Sequence, residues 1–217
     1  MKILFDLDGT LTDSGEGIMN CAAAALTHYG IHVTDPRELR RFVGPPLRDT
    51  FARYGIPAAQ IEDAIARFRQ RYWTTGKYEN FPYPGVPEAL ATLQQEGHRL
   101  FIATSKPEHL AIEVLQYFHM DQYFERICGA TADASREKKD QVIAYLLDTV
   151  GRNGPMVMVG DTDLDIRGAA AFGIPGIGVA WGYGEVADMR AAGAVAIAQD
   201  AEQLLTLLRE MDPQPAQ

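Results

Sequence analysis

Two carboxylates stand two residues apart at the end of a short apolar run, Asp6 and Asp8 in Ile3-Leu-Phe-Asp-Leu-Asp-Gly9. In an extended strand residues i and i+2 face the same side, so the spacing brings the pair together. Like charges placed this way repel and are costly to take out of water. A turn at Asp8-Gly9 accounts for Asp8, but Asp6 lies inside the apolar run, and a bound cation is the usual compensation. Two more polar clusters follow, Thr104-Ser105-Lys106-Pro107 and Gly160-Asp161-Thr162-Asp163-Leu164-Asp165, together with the adjacent lysines Lys138 and Lys139. Taken singly, Asp163 or Asp165 reads as an acid at a helix start, and Thr104-Ser105 as a cap. Taken together they have a definite chemistry. Carboxylates with hydroxyl donors, and no His or Cys among them, suit Mg²⁺ better than zinc. A carboxylate can attack phosphorus and form an aspartyl-phosphate, with a metal offsetting the repulsion between the two anions. Thr104 can donate to a phosphoryl oxygen and a lysine can supply the remaining charge. A second acid beside the nucleophile can protonate the leaving oxygen and then deprotonate the attacking water.

Those groups need a scaffold that delivers them to one place. After the first strand the apolar period changes: Ile18, Cys21, Ala22, Ala25, Leu26 and Tyr29 recur helically, and Gly30 stands where a helix ends. Asp35-Pro36-Arg37-Glu38 predicts the start of a second helix, broken at Gly44-Pro45-Pro46. A third is expected over about Leu47 to Tyr54 and a fourth over about Ala58 to Trp73. Residues from about 15 to 80 therefore form a helical insertion large enough for a small bundle. From Pro84 onward strands and helices alternate. Strands are expected at Leu100 to Ala103, near Arg126 to Cys128, at Met156 to Val159, at Gly176 to Ala180 and at Val195 to Ile197. Helices are expected between them, with Pro107 in the first turn of one, and the tail Asp212 to Gln217 is expected to fray. This pattern predicts an α/β fold, a doubly wound, mostly parallel Rossmann-like sheet with a small helical cap inserted after the first strand. The expected division is a core of 1–14 and 81–217 and a cap of 15–80. In such sheets ligands bind beyond the carboxyl ends of the strands, where all three polar clusters fall.

The chain has 217 residues, is 47% hydrophobic and carries a net charge of -9. That length allows one sizeable core with a smaller satellite. The acidic balance argues against a nucleic-acid polymer or an anionic membrane surface as partner, and makes a local cationic site necessary for any anionic substrate. Cys21 and Cys128 stand in no disulfide or zinc pattern. One Lys and three apolar residues before Asp6 do not make a leader, no run approaches a membrane span, and a cytoplasmic location is the expectation. Oligomeric state is not legible. Neither Gly-x-Gly-x-x-Gly after the first strand nor a P-loop is present, which disfavours a dinucleotide or P-loop enzyme.

Asp6-Leu-Asp-Gly-Thr-Leu-Thr-Asp-Ser14 resembles the first motif, Asp-x-Asp-x-Thr, of the haloacid dehalogenase-like phosphohydrolases. The resemblance extends over essentially the whole chain and implies roles residue by residue. Asp6 matches the nucleophile and a metal ligand, and Asp8 the acid/base whose main-chain carbonyl also meets the metal. Thr104, with Ser105 beside it, matches the phosphate-binding second motif. Lys139 matches the third, with Lys138 as the alternate. Asp161 matches the remaining Mg²⁺ ligand, with Asp165 a supporting acid at the same metal site. Phe42-Val-Gly-Pro-Pro-Leu47, Ser105-Lys-Pro107 and Trp181-Gly-Tyr-Gly184 resemble the branch containing phosphoglycolate phosphatases and bacterial 5'-nucleotidase-like enzymes, in which a cap arginine, here Arg48, reaches the substrate. The implied activity is hydrolysis of a small phosphorylated metabolite through an aspartyl-phosphate, with a phosphomutase or a pyrophosphatase of the same fold as the alternative. Asp8 argues against the dehalogenases themselves, which lack that second acid. The helical insertion and the Asp-x-Asp pair at the first strand fit a response-regulator receiver poorly.

Overall fold

The computed structural model describes residues 1–44, 47–131, 133 and 135–211. Pro45 and Pro46 of the expected helix break, and the tail Asp212 to Gln217, lie outside the described residues. The chain divides into two compact units, Met1–Asp13 with Pro82–Gln217, and Ser14–Phe81. Among the described residues no helix is long and apolar enough to cross a membrane.

The larger unit is built on β1 (Lys2–Phe5), β4 (Arg99–Pro107), β5 (Phe124–Ala130), β6 (Met156–Gly160), β7 (Gly176–Val179) and β8 (Ala196–Ala198). The two-residue strands β2 (Thr12–Asp13) and β3 (Phe81–Pro82) lie where the chain leaves and re-enters this unit. The six main strands form one sheet in the order β5-β4-β1-β6-β7-β8, and every pairing is parallel. β1 is central, so its residues are covered on both faces. Ile3 and Phe5 join Leu100, Ile102, Val157 and Val159 on one side, packed under α4 (Val86–Gln95), α5 (Glu108–Tyr117) and α9 (Ala201–Met211). Leu4 joins Phe101, Ala103 and Met158 on the other side, under α6 (Lys139–Val150) and α7 (Asp163–Ala170). This period-two division explains why strands buried on both faces read as continuous apolar runs. The order reverses at β1, which sends β4 to one side and β6 to the other and opens a crevice at their carboxyl ends.

β4 is longer than the apolar run Leu100 to Ala103 predicted. Its pairing with β5 continues to Pro107, opposite Ala130, after a register shift beyond Ala103. Pro107 is therefore extended and caps α5 rather than entering its first turn.

In the smaller unit, α1 (Gly15–His28), α2 (Leu47–Arg53) and α3 (Ile61–Thr74) surround Leu26, Phe51, Phe68 and Tyr72. The segment expected as a second ordinary helix, Pro36–Phe42, is a 3₁₀ helix, with the Asp35 side chain accepting from the Arg37 N–H at 3.0 Å. Leu39 and Phe42, three residues apart, eclipse in that tighter winding and are both buried, Phe42 edge-on to Phe51 at 4.9 Å.

Candidate active site

The functional side chains enter from strand ends and from the helix starts at the same edge of the sheet. Asp6 follows β1, its N–H donating to the Val159 carbonyl at 2.9 Å, so the nucleophile candidate is tied to the neighbouring strand. Thr104 lies in β4 and is 2% exposed. Asp161 follows β6 and is 1% exposed. Asp165 sits in the first turn of α7 and Lys139 opens α6, both buried.

The carboxylates of Asp6, Asp161 and Asp165 each offer an oxygen within 4.8 Å of the others. Lys139 is drawn into the same space, its Nζ 2.9 Å from Asp6 Oδ1 and 2.7 Å from Asp165 Oδ1, and it donates to the Ala103 carbonyl at 3.0 Å. Lys138, the alternate, is exposed and serves as the N-cap residue of α6. The other oxygen of Asp165 accepts from the Thr162 N–H and hydroxyl at 3.0 and 2.8 Å. Both Asp165 oxygens are thus engaged, and its carboxylate buttresses the cluster from behind. Asp161 Oδ1 accepts from the Thr10 hydroxyl at 3.3 Å and Oδ2 from the Tyr183 N–H at 2.8 Å.

Three carboxylates facing one ammonium leave an excess of buried negative charge, and it shifts proton affinities within the cluster. Burial pushes Asp6 above the usual carboxylate range, with Lys139 and a bond to the Thr104 hydroxyl opposing and Asp165 reinforcing. Asp161 is pushed up to about 7 by burial and then by Asp165 and Asp6. Burial works against the Lys139 ammonium, but Asp165 and Asp6 more than offset it and raise its pKa. An all-oxygen donor set that resists full ionisation in the absence of a cation fits a hard divalent ion.

Asp8 is placed differently. Its carboxylate is gripped by Lys106, with Nζ 2.9 and 3.0 Å from its two oxygens, and the Lys106 side chain is only 3% exposed. The sequence motifs do not single out Lys106. The signal was available in its spacing, because Thr104 and Lys106 alternate to the same side of a strand that continues to Pro107. The same alternation turns Ser105 the other way: it is exposed, and among the described residues it is not one of the side chains on the carboxylates. Arg48 belongs to the smaller unit, where its guanidinium pairs with Glu62 and its side chain is 60% exposed.

A family model for haloacid dehalogenase-like hydrolases matches residues 3–179. The chain belongs to that family. Within it, a 5'-nucleotidase of Pseudomonas aeruginosa is 41% identical over 192 residues, 88% of this chain and 87% of the relative. A plasmid-encoded phosphoglycolate phosphatase of Cupriavidus necator is 31% identical over 222 residues, 99% of this chain and 95% of the relative. The tyrosine-protein kinase PtkA of Mycobacterium tuberculosis is 42% identical over 184 residues, 84% of this chain but only 62% of that protein's length. The PtkA structure superposes with a TM-score of 0.84 at 38% identity, covering 95% of this chain and 97% of that one. The haloacid dehalogenase-like fold is the six-stranded parallel sheet flanked by helices described above.

Proposed function

We propose that this hydrolase cleaves small phosphomonoesters in a Mg²⁺-dependent reaction that passes through an aspartyl-phosphate on Asp6. The observation that carries the reading is the buried group of Asp6, Asp161 and Asp165 around Lys139, with Asp8 held beside it by Lys106. The Asp6 and Asp161 carboxylates, with the Asp8 main-chain carbonyl, would hold the cation, and Asp165 supports them. When bound, the cation offsets the charge between carboxylates and phosphate.

This chain's own groups do the rest. An Asp6 oxygen attacks phosphorus as the ester P–O bond breaks, and Asp8 gives its proton to the leaving oxygen. Asp8 then takes a proton from water, whose oxygen attacks phosphorus, and inorganic phosphate leaves with Asp6 restored. Thr104 and Lys139 bind phosphoryl oxygens, and Lys139 favours the ionised, nucleophilic form of Asp6 against the effect of burial. The Ser105 side chain faces away, so its share in phosphate binding falls to its backbone N–H. The names of the relatives support a phosphoglycolate-like or nucleoside monophosphate-like substrate. The PtkA name supports a second reading, in which the phosphoryl group passes from Asp6 to an acceptor hydroxyl rather than to water.

The test is a phosphate-release screen over phosphorylated metabolites, with and without chelator. Activity is expected to vanish in EDTA and return with Mg²⁺. Ca²⁺, with longer and looser coordination, should support little turnover. Full turnover in chelator refutes the site as drawn, and a phosphorylated acceptor formed in place of free phosphate selects the second reading.

The smaller unit is proposed as the cap that selects the substrate, with Arg48 leaving Glu62 for the substrate's distal anionic part. A charge-assisted contact is worth about 1.5–3 kcal/mol, so Arg48→Ala should lower kcat/KM for such a substrate by roughly ten- to a hundredfold. An activated aryl phosphate, which offers no distal anion, should lose much less. Equal losses on both substrates would place Arg48 outside specificity.

A further inference from the structure

We propose that the loop Trp181–Gly184, after β7, is a clasp that positions Asp161 for the divalent cation, with Trp181 and Gly184 as its positioning residues. The proposal rests on the metal reading given above. The loop does not pack into the sheet core alone. Its polar contacts converge on Asp161 and on the segment that follows β1, the two pieces of chain that would share the ion.

The Tyr183 N–H donates to Asp161 Oδ2 at 2.8 Å. The Trp181 indole Nε1–H donates to the Thr10 carbonyl at 3.0 Å, and Thr10 turns its own hydroxyl to Asp161 Oδ1 at 3.3 Å. The Tyr183 hydroxyl donates to Asp13 Oδ1 at 2.8 Å. Each oxygen of Asp161 is therefore oriented by a donor, one from each loop, and the two loops are fastened to one another on both sides of it.

The glycines show how close the approach is. A Cβ on Gly182 would stand 2.3 Å from the Asp161 Cβ and 2.4 Å from the Gly9 carbonyl oxygen. A Cβ on Gly184 would stand 2.1 Å from the Asp161 carbonyl oxygen. The obstacles are mostly backbone, which cannot swing aside like the end of a flexible side chain. Any side chain at Gly184 must displace Asp161 itself. A loop whose only task was to connect β7 to the next helix would not need to meet a buried carboxylate at these distances. Groups that orient ligands from behind typically alter metal affinity by about 10- to 100-fold when removed.

The experiment measures Mg²⁺ binding to the whole protein by titration calorimetry, with melting temperatures taken in chelator. Trp181→Phe keeps the ring and deletes one N–H, and Gly184→Ala inserts one methyl group. Both variants are expected to bind Mg²⁺ about tenfold more weakly than the parent, or worse. Their metal-free melting temperatures should stay near the parent's for Trp181→Phe and fall further for Gly184→Ala. If the parent binds Mg²⁺ and Trp181→Phe binds it equally well, the clasp is overturned and the metal reading stands. If the affinity of Trp181→Phe falls only in step with a large loss of metal-free stability, the loop is structural and the clasp is again overturned. A parent protein that takes up no Mg²⁺ overturns both.

Discussion

Asp6→Asn is expected to abolish turnover while leaving a folded protein. The substitution keeps the shape of the side chain, its place after β1 and the capacity to accept from the Leu7 N–H, which now meets Asp6 Oδ1 at 2.8 Å. It removes the attacking charge. Loss of a covalent nucleophile typically costs several orders of magnitude, about 10⁴-fold or more. The fold should survive because the strand is held by neighbours independent of the carboxylate. Ile3 and Phe5 lie in one core layer and Leu4 in the other, and the pairings of β1 with β4 and β6 are untouched. The metal-free variant should be no less stable than the parent, since a buried carboxylate in a group with excess negative charge is replaced by a neutral amide. The check is phosphate release under saturating Mg²⁺ with circular dichroism of the same sample, and mass spectrometry to exclude deamidation back to Asp. Retained turnover in an Asp6→Asn sample whose mass shows no deamidation would end the aspartyl-phosphate mechanism.

The sheet was legible because its strands carry their own period. Leu100 to Ala103 and Met156 to Val159 are apolar on both faces, which only a parallel sheet covered by helices on both sides can accommodate. Asp6 and Asp161 were legible for a related reason: each is a carboxylate set against an apolar strand, where local structure alone gives no cause for it. What was not legible depends on partners remote in sequence. Lys106 stands in a polar cluster of the sequence without a role of its own, and only the continuation of β4 alongside β5 keeps it extended and turns it onto Asp8, 98 residues away. Ser105 follows from the same fact, since one more residue of strand reverses the side that a side chain faces. The 3₁₀ winding at Pro36–Phe42 is set by burial of Leu39 and Phe42 against residues beyond the segment itself. The engagement of Trp181 and Tyr183 with Thr10, Asp13 and Asp161 likewise joins pieces of chain that no local pattern connects.

Lys139→Met should be the most destabilising single change in the cluster, and its cost should depend on pH. Lys139 is the ammonium between Asp6 and Asp165, and methionine fills a similar volume without charge. Removing one partner of a buried ion pair typically costs about 3–5 kcal/mol, because the other is left uncompensated. For a chain of this length that corresponds to a melting temperature lower by roughly 10 °C. The pH dependence follows from the carboxylates that lose their partner. In the metal-free parent Asp161 titrates at about 7, above its ordinary 3.8, through burial and then Asp165 and Asp6. A carboxyl raised in the folded state stabilises it fully below the unfolded pKa, and that contribution is lost as pH rises through the folded value. Lys139 lowers both Asp161 and Asp6 toward ionisation, so without it both are pushed higher and the loss on going to alkaline pH deepens. Below about pH 5.5 Asp161, pushed up to about 7, is already protonated in the folded state and misses the lysine less. In chelator, therefore, the variant should trail the parent by a smaller margin at about pH 5.5 than at about pH 8. Saturating Mg²⁺, if the site holds it as proposed, should narrow the alkaline gap by supplying positive charge to the same oxygens. A gap equal at the two pH values would mean that Lys139 acts through its packing and its bond to the Ala103 carbonyl, and not as the counter-charge to these carboxylates.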